Sequence, residues 1–357
     1  MGYCAKAPGK LILSGEHSVV YDAPAIVAAI AEYTQVCFHP IHRSNSIKTV
    51  FKGLPIGKPY PLTALRKLKH KLDRRFEQFI RGELSVSHIL HRPDDLAVYA
   101  LATFFQHLPM PGKTSRKHLP IPGRLSSEST LPLGAGMGSS AAAIAATIVL
   151  YEHLLEHPLT LTQRFERIRF CERLQHGKGS ALDAAAVTYG NILYLENGQP
   201  KPLDIQLDNH WYWILQGIPT SSTGECVSHV RQHFGHDQTL WQAFSDCTQA
   251  LTAALENHHN PKHIIRENHQ LLRRIGVVPD ATNALIKTIT DHGGGAKISG
   301  AGSVHGQRGG IIIVYHDDPE AMQTLLKSHP HRRWGKLTIA PQGARLCDNP
   351  CLMDTSQ

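Results

Sequence analysis

The sequence predicts a two-domain α+β protein, and three observations carry that expectation. Its 357 residues, 41% of them apolar, suffice for two domains with a sizeable core. Apolar runs of strand length alternate irregularly with stretches of helical period, which argues for mixed layers and not for a repeat or a bundle. Glycine-rich turns sit between several of these runs, where backbone can approach a neighbour or a ligand closely.

Taken in order, KAPGKLILSGEHSVVYDAPAI opens as strand, turn and strand, with apolar Leu11 to Leu13 and a small apolar segment at Pro24 to Ile30. The proline-bearing stretch from about His39 to Pro61 reads as loops and short strands. LTALRKLKHKLDRRFEQFI sets Leu65, Leu68, Leu72, Phe76 and Phe79 at helical spacing. A second helix follows over Asp94 to Leu108, then an irregular connection over Pro109 to Pro122. LPLGAGMGSSAAA gives a glycine loop and a helix through about Tyr151, and another helix covers about Thr162 to Gln175. NILYLE (Asn191 to Glu196) reads as a strand, and Glu196 to Leu203 is the candidate domain boundary. Beyond it WYWILQGI is a strand, two or three helices reach about Ile275, and Ala284 to Asp291 adds another. GGGAKISGAG leads into GGIIIVY, a buried strand, and the last ten residues read as disordered.

Composition narrows the function classes. No opening stretch has the basic-then-apolar pattern of a secretory leader, and no apolar run reaches about eighteen residues, so no membrane role is expected. Seven cysteines, an odd number spread along the chain, do not form a disulfide framework and point to a reducing cytoplasm. The formal charge of +8 suits an anionic ligand. Much of that excess lies on the helix of Arg66 to Arg75, which has no aromatic on its basic face and no nucleic-acid motif. An ordinary amphipathic helix, without a nucleic-acid partner, is expected. HLLEH (His153 to His157) fits an inverted zinc-protease motif only by spacing, Cys347 and Cys351 have no second pair, and His258 and His259 read as a solvated face.

Three stretches carry chemistry. In the glycine loop, Gly134, Gly136 and Gly138 alternate with Ala135 and Met137, and Ser139 and Ser140 open the helix. Such a loop at a helix start offers unpaired N–H groups and a positive dipole end, an anion cradle suited to phosphates. The serine hydroxyls can cap the helix or reach a metal beside the phosphates. Neither a Walker A loop nor a dinucleotide fingerprint fits, because Ser139 stands directly after the last glycine. In the first stretch Lys10 enters a strand from a turn, and Glu16 and His17 occupy the next turn, where they can hold a substrate hydroxyl. In CERLQHGKGSALD, Glu172 and Asp183 can meet across a glycine-rich turn, one on a metal and one beside an attacking hydroxyl. Ser180 and Asp183 also fit a helix capping box.

APGKLILSGEHSVVY, LPLGAGMGSSAA and KISGAG, at these separations, make the chain resemble the GHMP small-molecule kinases over nearly its whole length. The resemblance implies an N-terminal ribosomal-protein-S5-like α/β domain over 1–203, a ferredoxin-like domain over 204–340 and a tail over 341–357. It implies ATP-dependent phosphorylation of a small-molecule alcohol with Mg²⁺. Mevalonate is the acceptor its motifs favour; phosphomevalonate, a sugar, or a non-catalytic nucleotide sensor are the alternatives. Position by position, Asp183 would be the base and Lys10 would neutralise charge. Gly134, Ala135, Gly136, Met137, Gly138, Ser139 and Ser140 would wrap the nucleotide. Glu172 with Ser139 or Ser140 would hold the metal, and Glu16, His17 and Thr223 would face the acceptor. A homodimer follows only by analogy. The chain departs from the family where Gly179 replaces a proline, Ala181 a glycine and Gly224 a frequent lysine. Ser303 to Arg308 also intervene in the third glycine motif.

Overall fold

The computed structural model describes residues 2–348 apart from 53–54, 56–58, 107–120 and 178. Most of the expected connection at Pro109 to Pro122, Lys178 of the second motif and the tail beyond 348 therefore lie outside the described residues.

Two long strands, β1 (Tyr3–Ser14) and β2 (Ala25–Pro40), form an antiparallel pair that anchors the first half. Both are longer than their central apolar patches suggested, because edge polar residues continue the ladder past them. Next come β3 (Ser46–Phe51), β4 (Tyr60–Pro61), α1 (Leu65–Ile80) and α2 (Asp95–Gln106). Strand β5 (Gly123–Ser129), absent from the sequence expectation, precedes α3 (Ser139–Leu154), α4 (Leu161–His176) and α5 (Ala181–Tyr189). Polar GRLSSES hides β5: its burial does not alternate, since it pairs with both β2 and β3. The far edge of β2 takes β6 (Ile192–Glu196) over Ala25 to Ala28 and β5 over Thr34 to Pro40. β7 (Gln199–Leu203) completes a hairpin with β6, so the first sheet extends through the expected boundary segment to Leu203.

The second sheet has the order β11–β8–β10–β9, with β8 (Trp211–Gly217), β9 (Gly295–Ser299), β10 (Gly310–Tyr315) and β11 (Trp334–Lys336). Its connections carry α6 (Thr223–Phe234), α7 (Gln238–Glu256), α8 (Lys262–Arg274), α9 (Asp280–Asp291) and α10 (Pro319–Lys327). The chain then returns to the first sheet. Ile339 bridges Ile30, and β12 (Arg345–Leu346) pairs with β1, so the expected tail begins as a structural edge.

Helix α3 packs on β1 and β2 and is buried along almost its whole length. Its alanines make that possible, since small side chains let a helix lie close to a sheet while still excluding water. On β10, Ile311, Ile313 and Tyr315 join the core of the first half, whereas Ile312 and Val314 join a second cluster with α9 and α10. This strand alternation joins the halves: one face of the second sheet is the wall between them.

One expectation about cysteine needs correction. Cys4 and Cys37 are direct partners across β1 and β2, and their sulfurs are bonded. A pairing created by strand register is invisible in residue spacing. Cys171, Cys226 and Cys247 are buried free thiols.

Candidate active site

The glycine loop is stitched to β1 by the Lys10 amide, which donates to the Met137 carbonyl at 3.0 Å. Ala135 and Met137 are buried, and Gly134, Gly136 and Gly138 all adopt positive φ. Gly138, φ +73°, is the N-cap of α3, and no side chain caps that helix. The first α3 amides thus lack side-chain acceptors, as a phosphate cradle requires. A Cβ on Gly138 would lie 2.9 Å from Lys10 Cγ and 3.2 Å from Asp183 Oδ1. The loop therefore meets both side chains at once. A cleft of about 550 Å³ opens beside it, lined by Leu133, Gly134, Ser139 and Ser140 on one side and Phe51, Ser87 and Arg92 on the other.

Lys10, 5% exposed, sends Nζ to 3.5 Å from Asp183 Oδ1. Ser180 caps α5 by accepting the Asp183 amide at 3.2 Å. The reciprocal half of a capping box is not formed, so the Asp183 carboxylate faces Lys10 instead of its own helix end.

Glu172, on α4, is completely buried, and neither carboxylate oxygen has a well-formed hydrogen bond. His176 Nε2 stands 3.5 Å from Oε2. Burial pushes the Glu172 carboxyl up to about 8; the Asp183 charge adds to this, while Ser140 and Lys10 oppose it. A dry carboxylate without donors is costly unless a cation reaches it. With Ser140 beside it, the donors suit a hard divalent ion that completes its shell with phosphate oxygens and water. The described residues gather no cluster of three or more His, Cys, Asp or Glu able to hold a metal without such help.

Glu16 and His17 lie buried in the turn that follows β1. His17 adopts φ 60° and its Nε2 is 3.0 Å from the Ala301 carbonyl. A carbonyl only accepts, so Nε2 carries the proton and Nδ1 keeps a lone pair. Burial lowers the His17 pKa to about 4, leaving a neutral ring near pH 7. Glu16 is not free: Oε1 is ion-paired with Lys297 of β9. Sequence reasoning missed Lys297, although a lysine two residues before Ser299 in a buried strand was the available signal.

Thr223 stands exposed as the first residue of α6, behind a capping box of Ser222 and Glu225. Two residues earlier, buried Ser221 accepts the amides of Val304 and His305 at 3.2 and 3.1 Å. Gln307 then holds the other end of the Ser303–Arg308 insertion, its carbonyl accepting from Gln216 at 3.1 Å. The insertion is tied at both ends to the chain that runs from the end of β8 to the start of α6. The missing proline also has a physical reason, since a Cβ on Gly179 would lie 2.1 Å from the Arg169 carbonyl oxygen.

Residues 96–191, which carry the glycine loop, Glu172 and Asp183, match the family model for the GHMP kinases N terminal domain, and the protein is a kinase. Such a kinase takes ATP as phosphoryl donor. The chain is similar to proteins named mevalonate kinase from three organisms. That of Thermococcus gammatolerans is 29% identical over 85% of this chain and 87% of its own. That of Archaeoglobus fulgidus is 26% identical over 84% and 88%, and that of Candida albicans 25% over 88% and 81%. Among solved structures, the Methanococcus jannaschii mevalonate kinase superposes with a TM-score of 0.75 at 19% identity, covering 94% of this chain and 98% of that one. The L. major mevalonate kinase in complex with R-mevalonate gives 0.65 at 21%, covering 94% and 96%. At these identities the structural likeness speaks to the fold. Among the described residues no helix is long and apolar enough to cross a membrane.

Proposed function

We propose that the protein transfers the γ-phosphoryl group of ATP to the primary hydroxyl of mevalonate, giving 5-phosphomevalonate and ADP. The observation that carries this reading is the Lys10–Asp183 pair at 3.5 Å, set against the glycine loop at the start of α3. The relatives' shared name supports mevalonate as the acceptor. The half formed by 1–203 supplies the phosphate loop and that formed by 204–340 supplies the third glycine motif, and the two face each other where Gly136 approaches the Ser299 carbonyl.

Phosphoryl transfer is governed by positioning and charge neutralisation. Amides of Gly134 to Ser140 bind the phosphates. Lys10 draws charge off the transferring group and orients the acceptor oxygen, while Asp183 takes the hydroxyl proton. Glu172 and a loop serine, Ser139 or Ser140, hold Mg²⁺, which supplies Lewis-acid neutralisation of the phosphate oxygens. The lone pair of His17 Nδ1 accepts from an acceptor hydroxyl, and Glu16 and Thr223 face the same side.

The test is ADP release by purified protein with ATP and Mg²⁺ in the presence of mevalonate, phosphomevalonate, galactose, homoserine or no acceptor. Turnover with mevalonate alone is expected. Turnover with another acceptor, or tight ATP binding without turnover, overturns the substrate assignment.

A further inference from the structure

Strand β9 holds a buried cation that the proposed chemistry does not use. Lys297 is 0% exposed, as is the strand around it. Its register partner is Ile313, whose face of the second sheet packs against the first half. Period two therefore turns Lys297 and Ser299 together into the wall between the halves. Both find β1 there: Ser299 Oγ accepts the Ile12 amide at 2.8 Å, and Lys297 Nζ approaches the Ile12 carbonyl at 3.4 Å. The ammonium then closes on Glu16 Oε1, while Glu16 Oε2 is buried with no hydrogen-bond partner.

We propose that Lys297 is a positioning residue for the acceptor: it clamps Glu16 through Oε1 and leaves Oε2 to accept a substrate hydroxyl. This rests on the kinase reading above. A buried ion pair seldom stabilises more than apolar residues of the same shape, so stability alone does not account for charges in this wall. Burial raises the Glu16 pKa and Lys297 is the largest opposing influence, so removing Lys297 shifts the carboxyl further towards its protonated form. The other titratable groups that sense the pair are Lys10 on β1, Cys247 on α7 and His269 on α8. Neither Cys247, a thiol pushed up to about 11, nor His269, lowered to about 4, can replace the lysine charge at neutral pH.

The experiment compares wild type, Lys297→Met and the doubly neutral Glu16→Gln/Lys297→Met variant, using whichever acceptor the wild type turns over. That choice separates failure of the mevalonate assignment from failure of this proposal. In Lys297→Met the acceptor KM should rise about tenfold or more, with the ATP KM unchanged. That rise should shrink as pH is raised and Glu16 loses its proton. The double variant should regain the wild-type melting temperature but keep the raised acceptor KM. Recovery of both in the double variant, or an unchanged acceptor KM in Lys297→Met, would show that the pair is structural only.

Discussion

Lys10 Nζ and Asp183 Oδ1 lie 3.5 Å apart, one from the first strand and the other from the first turn of α5. A methyl group on Gly138 would touch both, so the glycine loop, the cation and the carboxylate share one small space. Accurate placement of the acceptor hydroxyl against both groups is therefore what transfer of the phosphoryl group requires.

Asp183→Asn should lower kcat by about a hundred- to ten-thousandfold, the usual range for a general base. ATP affinity should change little, because the loop amides and not Asp183 hold the phosphates. Nucleotide binding by calorimetry alongside steady-state turnover checks both halves. Unaltered turnover would remove Asp183 from the chemistry.

Gly138→Ala and Gly136→Ala should differ. Both positions have positive φ, at +73° and +88°, and strain of about 1 kcal/mol or more is expected at each. Only at Gly138 does the new methyl press on Lys10 and Asp183; at Gly136 its nearest neighbour is the Ser299 carbonyl at 3.7 Å. Gly138→Ala should lose about tenfold or more in kcat beyond Gly136→Ala at matched stability.

Much of this site was legible because its residues sit on local signals. Alternating glycines before an alanine-rich helix announce a phosphate loop, and Ser180 announces the start of α5. Lys10 and Asp183, both singled out by the family resemblance, lie 3.5 Å apart. What stayed hidden depends on register between distant strands. Cys4 meets Cys37, and Lys297 meets Glu16, only because particular strand faces oppose each other. Strand β5 was missed for a related reason: polar GRLSSES gains its ladder from β2 and β3, not from its own pattern.

His17 gives a pH signature of stability. Its folded pKa, about 4, lies below the ordinary 6.5, so the unfolded chain binds the extra proton between these values. Stability is then lost as pH falls from 6.5 through about 4, by roughly 3 kcal/mol at most from this group. Urea unfolding across that window should show a shallower decline for His17→Asn than for wild type.

Glu172 acts with the opposite sign. Its folded pKa, about 8, lies above the ordinary 4.5, so its contribution is full below 4.5 and lost as pH rises through about 8. Metal-free Glu172→Gln should therefore be more stable than wild type at alkaline pH. Its Mg²⁺ requirement should rise about tenfold or more, read from activity against free Mg²⁺ at saturating nucleotide. An unchanged Mg²⁺ requirement would place the ion elsewhere.

The most direct measurement is mass spectrometry of the acceptor after turnover with ATP, Mg²⁺ and mevalonate, for wild type and Asp183→Asn side by side. The wild type should yield monophosphorylated mevalonate carrying the phosphate on its primary hydroxyl, and the variant almost none despite normal ATP binding. Phosphate on another oxygen, equal product from both proteins, or no phosphorylated mevalonate from the wild type would contradict the mechanism.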